Sequence, residues 1–210
     1  MNKKGILVSF EGMEGAGKTT QCNLLAKKLE KMKYKTLVVR EPGGVDIAEQ
    51  IRDVVLAPKN KKIVISTEVL LFQAARAQLY AELVLPGLKV GKVVLMDRTR
   101  DSSTVYQGMV RGVGVEKIEG LNDFATDNTS PDLTFLLDLP AEVGMDRRMK
   151  SGKMDRIERE GVPLQKKVCK AYLKLADENK LGRWVVIDGQ KSIEEIAKQV
   201  WQVVEKKIEG

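Results

Sequence analysis

Gly12, Gly17, Lys18 and Thr19 stand at the spacing G-x-x-x-x-G-K-[ST], inside the stretch EGMEGAGKTTQ that follows the apolar run Ile6 to Phe10. That arrangement suits a phosphate chain. Glycines let successive backbone N–H groups turn inward around an anion. The helix that follows adds the partial positive charge of its first turn. The lysine reaches the β- and γ-phosphates, and the Thr19 hydroxyl is placed to ligate Mg²⁺. Gly12, Glu14, Gly15, Ala16, Gly17, Lys18, Thr19 and Thr20 therefore form the candidate nucleoside-triphosphate set. Glu14 is the anomaly, an acid among groups that attract anions.

Four further segments carry residue types that suit a second anionic substrate. Arg40-Glu41-Pro42-Gly43-Gly44 closes an apolar run, where an arginine can hold a phosphate in the crevice at a strand end; the bland alternative is a Pro-Gly-Gly surface turn. Phe72 and Arg76 are four apart and share a helix face, a ring and a guanidinium that suit a nucleobase; the alternative is a core phenylalanine beside a surface arginine. Asp97-Arg98 ends another run, with Ser102, Ser103, Tyr106 and Gln107 beyond it. Asp97 is placed to act on Mg²⁺ directly or through water, and Arg98 to bridge two phosphates, while a helix N-cap at Asp101 or Ser102 is the structural alternative. The run DRRMKSGKMDRIERE, 146–160, sits between two helical patterns, where a cationic lid is expected; charge runs are otherwise solvated faces.

The elements that must position these residues are legible as an alternation. Ile6 to Phe10, Thr36 to Arg40, Val93 to Asp97, Leu133 to Leu139 and Trp184 to Asp188 are continuous apolar runs, the pattern of strands covered on both faces. Helical spacing appears over Lys18 to Met32, Ile47 to Leu56, Thr67 to Leu85, Val115 to Ala125, Ala141 to Lys150, Pro163 to Ala176 and Ser192 to Lys207. Pro86-Gly87 is expected to stop the third of these, and Ser192 with Glu195 forms a capping box for the last. The pattern predicts an α/β fold of three layers, a five-stranded parallel sheet flanked by helices. Residues 1–210 are expected to form one domain, with 146–160 as a short mobile lid.

Composition bounds the chemistry. The chain has no histidine, which excludes histidine acid–base catalysis and histidine zinc sites. Cys22 and Cys169 match no metal spacing and are expected to be reduced thiols. Lys3 and Lys4 precede too short an apolar run for a secretory leader, and no run is long enough to span a membrane, so a cytoplasmic protein is expected. The formal net charge of +7 suits anionic partners but also an ordinary lysine-rich surface.

The segments FEGMEGAGKTTQ, REPGG, LFQAARAQL, DRTRDSSTVYQG, PDLTFLLDLP and DRIERE, in this order and spacing, resemble the thymidylate kinases, P-loop nucleoside monophosphate kinases acting on dTMP. The resemblance covers most of the chain. It implies transfer of the ATP γ-phosphoryl group to dTMP, with Lys18 and Thr19 on ATP and Mg²⁺ and Asp97 organising the metal. It places Glu14 by the acceptor nucleotide, Arg40 and Arg98 on the dTMP phosphate, and Glu41 and Pro42 beside it. Phe72 would stack on thymine, Arg76 would bond its carbonyl edge, and Ser103 and Gln107 would lie by the base. Tyr106 would lie under the deoxyribose, and Glu158 would lie in a lid-proximal acidic motif with Asp155. A homodimer is implied, and neither nucleic acid nor membrane is expected as a partner. Two departures stand out: Val45 follows REPGG where the family commonly has threonine, and Ser151 stands where many bacterial members carry the lid arginine. Arg147, Arg148, Lys150, Lys153 and Arg156 remain candidates for the lid cation; Arg147 has the alternative role of stacking on the ATP adenine. The rivals are a kinase with another acceptor, such as dUMP, and a P-loop regulator that binds nucleic acid without turnover.

Overall fold

The computed structural model describes residues 5–178 and 182–209; Lys3 and Lys4, weighed above as the start of a leader, lie outside them. Strands β1 (Ile6–Glu11), β2 (Thr36–Arg40), β3 (Val93–Asp97), β4 (Leu133–Asp138) and β5 (Trp184–Asp188) form one all-parallel sheet in the order β2-β3-β1-β4-β5. The register sets Phe10 opposite both Asp97 on β3 and Phe135 on β4. From β1 the chain builds toward β3 on one side and β4 on the other, so the loop after β1 opens at the switch point. Crevices of open α/β sheets form there.

Alternation along the strands divides the core in two. Val8, Phe10, Leu95, Phe135 and Leu137 face α1 (Lys18–Lys31) and α9 (Ile193–Glu209), meeting Leu25, Leu29, Val200 and Val204. Leu7, Val94 and Met96 face the opposite layer, against Leu79, Tyr80 and Val84. That layer holds α2 (Asp46–Leu56), α3 (Ile65–Leu79), α6 (Val115–Thr126) and α8 (Gly161–Asp177), with α4 (Leu85–Lys89) and α5 (Arg100–Ser103) as short pieces, while α7 (Ala141–Lys150) sets Ala141 and Met145 into the core shared with α1 and α9. The expected capping box is present: Ser192 N–H donates to Glu195, and Glu195 N–H to Ser192 Oγ.

Pro86-Gly87 does not stop the third helix. After α3 the chain makes a π-helical turn at Tyr80–Val84 and continues as α4 to Lys89. The wider turn resets the hydrogen-bond phase. Pro86 then falls in the first turn of α4, where a missing N–H costs no intrahelical bond. A second π-helical stretch, Thr104–Val110, follows α5 and carries Tyr106 and Gln107.

Candidate active site

The phosphate loop runs from the end of β1 into α1. Lys18 is 6% exposed and folds back, its Nζ donating to Met13 O at 2.8 Å. Burial, and then Arg98, hold its pKa below the ordinary lysine value, with Glu14 and Asp97 acting against them. Gly15 has φ 74, and a Cβ there would collide with the carbonyl of Gly144. A Cβ on Gly144 would in turn meet Met13 and Glu14 O. The two glycines let α7, which leads into the charged 146–160 segment, lie directly on the loop.

Thr19 Oγ1 donates to Asp97 Oδ2, so a hydroxyl and a carboxylate meet beside the loop. Among the described residues no cluster of three or more His, Cys, Asp or Glu is arranged for a metal. Two oxygen ligands suit a hard cation that completes its shell with water and phosphate oxygens, as Mg²⁺ does.

A cleft opens next to the loop. Of the residues singled out from sequence, Glu14, Glu41, Pro42, Phe72, Arg76 and Arg98 line it. So do Ser103, Tyr106, Gln107 and Glu158. Arg98 stands where cleft and loop meet, in the left-handed region at φ 70, ion-paired with Glu14. Its Nη1 donates to Ser102 Oγ and Tyr172 Oη, each at 3.2 Å, and its guanidinium lies 5.5 Å from the Tyr106 ring centroid. Burial works to raise the Glu14 pKa, but Arg98 and Lys18 hold it below the usual carboxylate range. The acid of the loop is thus a fixed anion that orients two cations.

Arg76 is 1% exposed and all five of its N–H groups are engaged. Nε and Nη2 donate to Glu41 Oε2 at 2.8 and 2.6 Å, and Nη2 also to Thr99 O at 3.2 Å. Nη1 donates to Gln73 Oε1 at 3.1 Å and Asn122 Oδ1 at 2.8 Å. It reaches a ligand in the cleft only by exchanging one of these bonds. Arg40 lies apart from the cleft lining: its side chain is 46% exposed and grips Glu49 and Pro42 O. The arginine that lines the cleft from this side is Arg52 on α2, which donates to Pro42 O at 2.7 Å.

The cations of 146–160 are distributed rather than gathered. Arg148 is clamped to Glu158 at 2.5 and 2.9 Å, with Ser151 Oγ on its other nitrogen. Arg147 is exposed and donates to Gly189 O at the end of β5. Arg156 donates to Val55 O at 2.9 Å and to Glu68 Oε2 at 2.6 Å, which ties it to α2 and α3. Lys150 pairs with Asp146 in solvent, and Lys153 is exposed.

Like Arg52, Glu11 and Tyr172 belong to this site and were not singled out from sequence. Glu11, at the end of β1, is fully buried and takes Thr99 N–H, Ser102 Oγ and Tyr172 Oη at 2.7 Å each. The two hydroxyls also contact Arg98, so Glu11 stands behind that guanidinium. Burial, then Asp101, push the Glu11 pKa up to about 7. An acid whose folded pKa lies above its unfolded one takes up a proton on folding, so its contribution to stability falls as pH rises through about 4.5 to 7. The expected loss is about 3 kcal/mol. Urea unfolding at about pH 5 and pH 8 should therefore show a larger drop in the wild-type chain than in Glu11→Gln. Equal drops would rule this origin out.

The thymidylate kinase family model matches residues 10–200. The chain is 44% identical over 208 residues to a thymidylate kinase of Lactobacillus helveticus, covering 98% of each. It is 45% identical over 203 residues to one from a Thermoanaerobacter species, covering 97% of this chain and 98% of the relative. It is 44% identical over 205 residues to one from Thermosipho africanus, covering 98% of this chain and 100% of the relative. The crystal structure of a thymidylate kinase from Ehrlichia chaffeensis superposes with a TM-score of 0.79 at 28% identity, covering 96% of this chain and 99% of that one. With a family match over nearly its full length, and the loop, strand order and cleft described above, this chain belongs to the thymidylate kinase family.

Proposed function

We propose that the chain transfers the γ-phosphoryl group of ATP to the phosphate of dTMP, giving dTDP and ADP for dTTP synthesis. The observation that carries this reading is Arg98, held by Glu14 at the junction between the Gly12–Thr19 loop and the cleft. Phosphoryl transfer between two anions needs little from the protein beyond alignment and charge neutralisation. The acceptor phosphate is already a nucleophile, so no general base is required. Lys18 and the loop N–H groups hold the ATP phosphates, and Arg98 touches both donor and acceptor. Phe72 lies against the base and Tyr106 under the sugar. Mg²⁺, held by Thr19 and Asp97, supplies positive charge to the phosphates when bound. Arg148, clamped to Glu158 in the cleft wall, is favoured as the lid cation because Arg156 is tied to Glu68. Arg147, beside Gly189, is placed for the adenine.

Residues 1–210 work as one domain, with 146–160 closing over the loop. The chain acts as a cytoplasmic homodimer. Exposed apolar side chains on the neighbouring helices α2, α3 and α6, among them Val54, Leu70 and Phe124, support a helical interface. Among the described residues no helix is long and apolar enough to cross a membrane. The test is ADP release from Mg-ATP with dTMP, dUMP, dCMP, dGMP and UMP in parallel. Strong turnover with dTMP, less with dUMP and little with the others is expected. Preference for another acceptor would overturn the base-reading roles, and no acceptor-dependent turnover would overturn the kinase reading.

A further inference from the structure

Glu68 does not line the cleft, yet it controls a residue that does. It lies on α3 and is 3% exposed. Its Oε1 accepts from Gln107 Nε2 at 2.9 Å, and its Oε2 accepts from Arg156 Nη2 at 2.6 Å. Arg111 Nε stands 3.7 Å from Oε1. Arg156 is itself fixed, through its backbone N–H to Leu56 O at 2.9 Å and its Nε to Val55 O at 2.9 Å. The carboxylate is therefore held from the 146–160 side and cannot follow Gln107 if that side chain turns.

A carboxylate accepts hydrogen bonds and donates none, whereas an amide has one end of each kind. The Gln107 NH₂ must face Glu68, because the flipped amide would set two acceptor oxygens 2.9 Å apart in a buried place. What Gln107 keeps for the cleft is its carbonyl oxygen, to which nothing donates among the described residues. The other polar groups nearby do not impose a choice of this kind. The Ser103 hydroxyl rotates to donate or accept, and the N–H groups of Arg76 are all engaged.

We propose that Glu68 is a specificity-determining positioning residue. By fixing the Gln107 amide it presents an acceptor to the base, which receives the N3–H of a thymine or uracil imide and opposes the unprotonated N3 of cytosine. The proposal rests on the reading of the cleft as a pyrimidine nucleotide site, and it deepens that reading.

The test is the preference for dTMP over dCMP, read both as kcat/KM and as the ratio of dissociation constants on the full chain. Glu68→Gln leaves a partner that can donate or accept, so the Gln107 amide is free to turn. Glu68→Asp keeps the charge that Arg156 pairs with and withdraws the acceptor from Gln107 by one methylene. In both variants the dTMP-to-dCMP ratio is expected to fall by at least about tenfold, with KM for ATP within about twofold of wild type. Gln107→Leu should lower the ratio as well, and adding Glu68→Gln to it should change the ratio no further, since the one acts through the other. A Glu68 with only a packing role would lower stability and leave the ratio untouched. Thermal melting shows which variants are folded. An unchanged ratio in a folded Glu68 variant overturns the proposal, as do multiplying effects in the double variant. A wild-type chain inert toward dTMP overturns the underlying reading, and is recognised because it shows before any variant is made.

Discussion

Arg98→Ala is expected to lower kcat by about 10³-fold or more, while ATP still binds and the fold persists. The magnitude follows from position. A cation that touches both the transferred group and its acceptor neutralises charge on both, in a site screened from water, and such arginines contribute about 10³–10⁵ in phosphoryl transfer. Four features hold Arg98 ready before any substrate arrives: Glu14, Ser102, Tyr172 and the face of Tyr106. Its left-handed backbone, at φ 70, is a conformation that a non-glycine residue keeps only where its surroundings over-determine it. Arg98→Lys should recover little, because one ammonium cannot meet Glu14, two hydroxyls and two phosphates with a planar fork. Removing Arg98 also takes from Glu14 its ion-pair partner, which lowers stability as well as activity. Arg98→Ala with Glu14→Gln separates the two. It should recover melting temperature and leave kcat low. Single-turnover ADP formation near wild-type speed in Arg98→Ala would remove Arg98 from the chemistry.

What was legible from sequence was what is local along the chain. The five strands are contiguous apolar runs; all five begin where the pattern placed them, three end there too, and the other two end within one residue of it. The phosphate loop is contiguous too, so its residues could be named together. What could not be read was assembled across distance. Glu11 and Tyr172 meet over 161 positions of chain, and neither has a motif of its own. Glu11 stood just past the expected end of the first strand, at the head of the glycine-rich stretch, and Tyr172 lay within the expected helix Pro163 to Ala176. Arg40 and Arg52 are both cations near the Pro-Gly-Gly turn, and nothing in their spacing says that the first turns to Glu49 in solvent while the second turns to the cleft. Arg156 was one of five lid cations until the fold brought a buried carboxylate, Glu68, beside it. Pro86 shows the converse. Its local signal was strong, and a π-helical turn just before it removed the reason for the helix to end.

Lys18→Met is expected to lower kcat by about 10²–10³-fold, the size of the loss when one preorganised donor to a developing anion is removed, and to raise the melting temperature at the same time. The activity loss follows from the loop. No other side chain cation stands within it, and Lys18 is buried with its ammonium turned to Met13 O, poised to swing to phosphate oxygens. The stability gain follows from electrostatics. Burial and Arg98 depress the Lys18 pKa despite Glu14, Asp97 and Glu11, so the charged form is disfavoured in the folded chain. The sign is that of a base with a folded pKa below its unfolded one. The unfolded chain binds more protons between the two values, so this residue's contribution to stability rises with pH there and is least favourable below both. At neutral pH the wild-type chain therefore carries a strained cation that methionine relieves, keeping the length and apolar stem. Lys18→Arg should restore little activity, since a guanidinium does not fit where the ammonium is enclosed. Differential scanning calorimetry and steady-state turnover on the same preparations decide it. A Lys18→Met chain that is inactive and melts higher shows stability given up for phosphate binding. One that melts lower would mean that the ion contacts with Glu14 and Asp97 outweigh burial, and that the loop is held together by the lysine it presents to ATP.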